Sequence, residues 1–154
     1  MKTLIVYHSE HHMNTKTIAN VIAPVLDALL VVSPNINTTD LREYDLIGFG
    51  SGIYYGKFHE ELYTWVNSLP QQDGKKAFLF STTGSKTNGE RAHERFRSLL
   101  GEKGFYTIGD FSCLGFDTAL SSDGINKGRP NANDLKDAER FAANLVEQIE
   151  NNID

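Results

Sequence analysis

The sequence predicts an α/β fold, a doubly wound five-stranded parallel sheet with helices on both faces. Two patterns indicate it. Short apolar runs typical of buried strands alternate with segments whose apolar residues recur at helical spacing. Strands separated by helices pair in parallel through right-handed crossovers, which place helices on both faces of the sheet. The 154 residues are expected to form one domain, 1–154, because this length buries a sufficient core.

The first half of the chain contains three predicted strands. They are the apolar runs Leu4–Tyr7, Leu29–Val32 and Leu46–Gly50. A helical pattern lies between the first two, and its apolar positions are Ile18, Ile22, Val25, Leu26 and Leu29. Pro24 falls inside that pattern and is expected to kink the helix, since its nitrogen cannot donate a hydrogen bond to Asn20.

The second half continues the alternation with the strands Ala77–Phe80 and Tyr106–Leu114, of which the second is less apolar and should be less buried. The helix before them carries the apolar stripe Phe58, Leu62, Trp65, Val66 and Leu69, and Pro70 ends it. The helix between them carries Ala92, Phe96, Leu99 and Leu100 and ends near Gly101. The closing helix carries Leu135, Ala138, Ala142, Leu145 and Ile149, with Asn133 as its predicted N-cap.

Composition excludes several classes of function. A net charge of −5 argues against nucleic acids and anionic membranes as partners. The single cysteine, Cys113, rules out a disulfide framework and favours a reducing, cytoplasmic location. No apolar run approaches the roughly 20 residues of a membrane span, and the amino terminus lacks the organisation of a signal peptide.

The segment Ser9–Thr15 is predicted to bind an anion. It joins a buried strand to a helix, and the first N–H groups of a helix have no intrahelical partner. The helix dipole adds partial positive charge at the same end. Ser9, Asn14 and Thr15 contribute side-chain donors, and Asn14 also suits the role of N-cap. A phosphate group is the expected ligand.

Two further segments are expected to lie beside this loop. Ligands of doubly wound sheets bind outside the carboxyl ends of the strands, where the strand order reverses. The segments that follow predicted strands one, three and four are Ser9–Thr15, Ser51–Phe58 and Ser81–Asn88, all rich in Gly, Ser and Thr or in aromatic residues. They should therefore converge on one crevice.

Other site chemistries find less support in the sequence. A metal ion at His8, His11 and His12 is not expected, because adjacent histidines cannot easily share an ion and no carboxylate or cysteine spacing completes a zinc site. His11 and His12 face either the phosphate or solvent. The glycines of Gly48–Ile53 nearly match a dinucleotide fingerprint but do not follow the first strand. No Ser-His-Asp arrangement is supported by an elbow motif.

Taken in order, the three segments resemble those of the flavodoxin family, and the resemblance covers the whole chain. Tyr7 to Ala19 is similar to the family's phosphate loop, although it is one residue longer and has His12-Met13 where Gly-Asn is usual. Gly50–Gly56 is similar to the segment that covers the flavin ring, and Ser81–Ser85 to the loop that lines its other side and its pyrimidine edge. The resemblance implies a strand order of 2-1-3-4-5 and a noncovalently bound FMN.

The residues that the resemblance assigns to FMN binding come from all three loops. They are Ser9, His11, His12, Met13, Asn14, Thr15, Ser51, Gly52, Ile53, Tyr54, Tyr55, Gly56, Thr82, Thr83, Gly84 and Ser85. Ile53 falls where the family often places its stacking aromatic residue, and Tyr54 or Tyr55 could reach the ring instead.

The family implies an electron carrier with protein redox partners and no substrate of its own. The alternative is a flavin-dependent quinone or protoporphyrinogen oxidoreductase, because Gly52–His59 is similar to a loop of menaquinone-linked protoporphyrinogen oxidases. Those enzymes carry a long basic and aromatic insertion that this chain lacks. A flavin-free interaction module is the third possibility.

Overall fold

A computed structural model of the protein describes residues 1–33, 40–119 and 121–152. This part of the chain contains five strands and four helices. The strands are β1 Thr3–His8, β2 Leu29–Val32, β3 Leu46–Gly52, β4 Lys75–Thr83 and β5 Phe105–Leu114. The helices are α1 Asn14–Leu26, α2 Glu60–Ser68, α3 Lys86–Glu102 and α4 Ala132–Asn151. All neighbouring strands pair in parallel in the order β2-β1-β3-β4-β5, which confirms the predicted sheet.

Helices cover both faces of the sheet, as predicted. Side chains alternate along a strand, so β1 contributes Leu4 and Val6 to one core and Ile5 and Tyr7 to the other. The first core is closed by α2 and α3, and the second by α1 and α4. None of the helices in the described ranges has the length and apolar character that crossing a membrane requires.

The glycines of β3 have a packing role. Gly48 and Gly50 pair with Phe78 and Phe80 of β4, and both phenylalanine side chains are fully buried. A Cβ atom built on either glycine would overlap the ring of its cross-strand partner. The two rings therefore occupy the space that side chains on β3 would otherwise fill. Packing against these rings therefore accounts for the glycines that nearly match a dinucleotide fingerprint, and no bound dinucleotide is needed to explain them.

Helix starts differ from the sequence predictions. Met13, in the left-handed conformation with a φ of 57°, is the N-cap of α1 and supplies no side-chain hydrogen bond. Asn14, whose residue type also suits the role of N-cap, is instead the first residue of the helix. The N-cap of α4 is Asn131 and not Asn133, because Asn131 and Asp134 form a reciprocal capping box.

Two apolar residues assigned to helices lie outside them. Phe58 is fully buried but precedes α2, whose N-cap is His59. Leu29 belongs to β2, because α1 ends at Leu26 and Asp27 adopts a φ of 49°. Phe58 reaches the core from the segment before α2, whereas Leu29 is exposed on β2. Periodicity alone cannot separate either position from a helical one.

Candidate functional site

The β1–α1 and β4–α3 connections and the β5–α4 segment meet at the carboxyl edge of the sheet. The buried hydroxyls of Thr15 and Thr82 lie 2.8 Å apart and hydrogen bond to each other. The side-chain amide of Asn14 donates to the backbone carbonyl of Phe116 at 2.9 Å. The side-chain amide of Asn126 donates to the backbone carbonyl of Gly84 at 3.0 Å. These bonds bring the first and third predicted loops together, with the β5–α4 segment packed against both.

The start of α1 presents free backbone donors. The N–H groups of Asn14 and Thr15 have no acceptor within the described residues, whereas that of Lys16 donates to the Ser9 hydroxyl at 3.1 Å. The Thr15 side chain is buried beside them. Two free N–H groups at a helix start, together with the helix dipole, favour an anion at this position.

Other residues of this loop point outward. His11 and Met13 both have positive φ, and both side chains are exposed. His12 is also exposed, and its Nε2 lies 3.1 Å from the Thr118 hydroxyl while its ring contacts Phe116 at a centroid distance of 4.4 Å. His12 therefore joins the loop to the β5–α4 segment.

The predicted ring-covering segment is partly turned into the protein. Ser51 is fully buried, and its hydroxyl donates to the Gly52 carbonyl and accepts from the His59 N–H at 2.9 Å. Ile53 packs against the core beneath α2 and α3. Tyr54 is half-buried, and its ring packs edge-on against His59 at a centroid distance of 5.0 Å. Burial, with the Glu10 charge as a smaller cause, raises the pKa of Tyr54.

Tyr55 lies at the tip of a tight turn. Tyr54 and Lys57 exchange backbone hydrogen bonds of 2.8 and 3.1 Å, and the two residues between them have positive φ, 52° at Tyr55 and 73° at Gly56. This is the geometry of a type I′ turn, which favours Asn-Gly. The Tyr55 side chain is fully exposed, at 102%. A bulky residue therefore occupies an unfavourable conformation with no packing to offset it.

We expect Tyr55→Asn to raise the free energy of unfolding by about 0.5–1 kcal/mol, because asparagine tolerates positive φ better than tyrosine and no packing is lost. Urea denaturation followed by circular dichroism measures the change. Gly56→Ala is the matched variant in the same turn and should lower stability, since alanine is disfavoured at positive φ. An unchanged or lower stability for Tyr55→Asn would contradict this account.

Residues of the third loop are largely occupied by local bonds. Thr82 and Thr83 are buried at the end of β4, and the Thr83 hydroxyl donates to the Ser85 carbonyl at 2.7 Å and accepts from its N–H at 3.1 Å. The Ser85 hydroxyl caps α3 by accepting from Asn88. A Cβ on Gly84 would overlap the Asp117 carboxylate, so this glycine allows the β5–α4 segment to approach.

A cluster of titratable side chains that includes residues of the first two loops was not predicted from the sequence. We call it the His8 cluster; it comprises His8, Glu10, Tyr54, His59 and Glu61. Nδ1 of His8 lies 3.2 Å from the Glu61 carboxylate, and the His8 and His59 rings stack with centroids 3.5 Å apart. His8 and Glu61 are 53 positions apart in the chain, so no local spacing reveals the group.

Hydrogen bonds set the charges within this cluster. The Ser33 hydroxyl donates to the Glu61 carboxylate, and this bond is the main cause that lowers the pKa of Glu61. Nδ1 of His59 accepts from the Glu61 N–H at 3.1 Å, which fixes the proton of the neutral ring on Nε2. Burial, followed by the neighbouring His8, lowers the pKa of His59 and so favours that neutral ring.

A second polar group links β4, α3 and β5. The Ser81 hydroxyl lies 2.7 Å from Nε2 of His93, whose Nδ1 lies 3.0 Å from the Asp110 carboxylate. Arg97 completes the chain with an ion pair of 2.9 Å to Asp110. The His93 bond is the main cause that lowers the pKa of Asp110. Although a Ser-His-Asp order is present, Ser81 is fully buried, so the group can stabilise the fold but offers no accessible nucleophile.

Cys113 lies on β5 and is half-buried. It packs against the core beneath α1 and α4. Burial raises the pKa of its thiol to about 12, with the nearby Asp134 as the next cause. The thiolate, which is the reactive form, is therefore strongly disfavoured.

Comparison with known proteins identifies the family. An uncharacterized protein of Methanocaldococcus jannaschii is 40% identical over 149 residues, which cover 95% of this chain and 99% of that protein. A flavodoxin from the domain Archaea superposes with a TM-score of 0.73 at 22% identity, covering 97% of this chain and 99% of that one. General stress protein 14 of Treponema denticola, solved in complex with FMN, has a TM-score of 0.63 at 13% identity, covering 97% and 98%. The family model of the flavodoxin domain matches residues 4–115, so this chain belongs to the flavodoxin domain family.

Proposed function

We propose that this protein binds FMN noncovalently and transfers electrons between protein partners. The observation that carries the proposal is the start of α1, where two free backbone N–H groups lie beside the buried hydroxyl of Thr15. These donors fit a phosphate dianion, because N–H groups at a helix start combine hydrogen bonding with favourable charge. FMN, when bound, supplies the redox chemistry, and the protein supplies orientation and electrostatics.

Each predicted loop has a separate part in this proposal. The N–H groups of Asn14 and Thr15 hold the phosphate, and the Thr15–Thr82 bond fixes that loop against β4. Tyr54 and Tyr55 are the aromatic groups near the predicted ring position, and the exposed Tyr55 needs no repacking of the core to contact a flat ring. Family membership and the FMN complex of the Treponema denticola protein support a flavin as the ligand.

The test is a comparison of FMN with riboflavin, which lacks the phosphate. We expect riboflavin to bind at least ten- to a hundredfold more weakly, because each charge-assisted hydrogen bond contributes about 1.5–3 kcal/mol and about 1.4 kcal/mol corresponds to a factor of ten. Quenching of flavin fluorescence during titration of the apoprotein gives both dissociation constants.

Thr15→Ala should weaken FMN binding about tenfold and leave riboflavin binding unchanged, because the lost hydroxyl lies beside the phosphate donors. The matched control is Thr17→Ala, since the Thr17 hydroxyl is exposed and bonds to the Met13 carbonyl. Equal affinities for FMN and riboflavin in the unaltered protein would contradict the phosphate-loop assignment.

A flavin-dependent quinone or protoporphyrinogen oxidoreductase is the second candidate. Such reactions move protons with electrons, and the His8 cluster places proton-holding groups, Tyr54 and His59 among them, beside the first two loops. Anaerobic assays of the FMN-loaded protein with quinones or porphyrinogens distinguish the two. Turnover that is lost in Tyr54→Phe supports the enzyme, and electron exchange with redox proteins alone supports the carrier.

A further inference from the structure

We propose that the His8 cluster binds a divalent transition-metal ion through His8, Glu10 and His59. Each of the three offers a ligand atom, and these atoms all lie within 4.8 Å of one another. They come from the end of β1, the β1–α1 loop and the N-cap of α2, so the fold and not a local motif brings them together. Glu10 belongs to the same β1–α1 loop as the proposed phosphate donors, but none of the three ligands is one of those donors, so metal binding can be tested without FMN.

His8 is the anchor of the proposed site. Its side chain is 9% exposed, and Nδ1 faces the Glu61 carboxylate at 3.2 Å, where it donates as an N–H group. That bond leaves the lone pair on Nε2, an atom that is buried and has no hydrogen-bond partner. A carboxylate that orients a histidine through its second nitrogen is the usual outer-shell arrangement of metal-binding histidines.

Glu10 supplies the negative charge opposite this lone pair. Its carboxylate lies 3.5 Å from Nε2 of His8, and two acceptors facing each other repel unless a cation lies between them. Because Glu10 is exposed, an ion can enter from solvent and keep a water molecule on that side.

His59 completes the set and has to adjust. Its ring stacks on His8 with an interplanar angle of 11°, and Nδ1 accepts the Glu61 N–H that caps α2. The ring becomes a ligand by turning so that a nitrogen lone pair faces the ion, which exchanges the cap bond for a metal bond. His59 should therefore contribute less to the affinity than His8 does.

The donor set selects the type of ion. Two imidazole nitrogens and one carboxylate suit Zn²⁺ and its neighbours in the first transition row, whereas Mg²⁺ and Ca²⁺ prefer oxygen ligands. Three protein ligands leave a coordination position open to water or another small ligand. A structural zinc site would be closed by a fourth side chain, so the arrangement corresponds to the open type.

The test is direct titration of the full-length protein after removal of metals with a chelator. Calorimetry with Zn²⁺ should show saturable binding of one ion per chain, and Mg²⁺ at the same concentrations should give no signal. Co²⁺ should develop visible absorption bands that depend on imidazole ligands. The titrations are run with and without FMN, so their outcome is independent of whether flavin binds.

Substitutions locate the ion. Glu10→Gln changes an exposed residue, keeps the shape of the side chain and should weaken Zn²⁺ binding at least tenfold; Glu60→Gln, a neighbouring exposed acid outside the ligand set, should not. His8→Asn should abolish binding, whereas His12→Asn should leave it unchanged. Circular dichroism confirms folding of each variant, and if His8→Asn unfolds, Glu10→Gln decides the question alone.

Three results would overturn the proposal. The first is the absence of saturable Zn²⁺ binding, which would mean that a proton and not a metal ion lies between His8 and Glu10. The second is an affinity unchanged by Glu10→Gln. The third is an affinity lost in His12→Asn, which would place the ion on the exposed histidines of the β1–α1 loop.

Discussion

Replacing His93 with alanine is expected to lower the free energy of unfolding by about 3–4 kcal/mol. The ring is buried between β4 and α3 and packs edge-on against Phe58 at 5.3 Å. Its removal leaves a cavity and deletes two hydrogen bonds, one to the Ser81 hydroxyl at 2.7 Å and one to the Asp110 carboxylate at 3.0 Å. Cavity formation and partial loss of buried polar partners both destabilise, so their effects add.

Urea denaturation followed by circular dichroism measures this loss. Glu94→Ala is the matched control, because Glu94 is an exposed residue of the same helix and its substitution should change stability by about 0.5 kcal/mol at most. Asp110→Asn tests the polar part separately, since it keeps the volume but removes the charge that pairs with Arg97. If His93→Ala lowers the free energy of unfolding by less than about 1 kcal/mol, the hydrogen bonds that link Ser81, His93 and Asp110 contribute little to stability.

Gly50→Ala is expected to destabilise the protein by about 1–3 kcal/mol through overpacking. The added methyl group would overlap the ring of Phe80, which is fully buried under α1 and α4. The buried ring is closely packed, so relieving the overlap requires it or its neighbours to shift, which costs free energy.

Gly101→Ala is the control for this substitution. Gly101 lies in α3 with no atom within 4 Å of an added Cβ, so alanine should be neutral or stabilising there. Phe80→Leu combined with Gly50→Ala completes a double-mutant cycle. A favourable coupling energy is expected, because the smaller side chain makes room for the methyl group; strictly additive effects would contradict the overlap.

The sheet and its helices were predictable because each element carries its own signal. Buried parallel strands such as Leu4–Tyr7 are continuous apolar runs, and the stripe of α3 repeats at helical spacing. Element ends were less predictable, because they depend on single backbone conformations. Met13 starts α1 from the left-handed region, and nothing in its residue type indicates that conformation.

The site was predictable as a location but not as a set of contacts. Ser9–Thr15 and Ser81–Asn88 do meet at the carboxyl edge, because the topology of a doubly wound sheet requires it. Ser51 lies near the end of β3 and Ile53 directly follows the strand. Whether their side chains face the core or the site depends on the register of the strand end, which the sequence does not fix. The His8 cluster and the Ser81–His93–Asp110 chain join residues far apart in sequence, so only the folded chain reveals them.

Cys113 has a consequence for any measurement of electrons in this protein. Burial raises the pKa of the Cys113 thiol, which disfavours the reactive thiolate at neutral pH and with it exchange with disulfides and dimerisation through sulfur. The chain has no other cysteine with which it could form an internal bridge. Oxidation of this thiol should therefore contribute little to the electrons counted in a coulometric titration of the native chain.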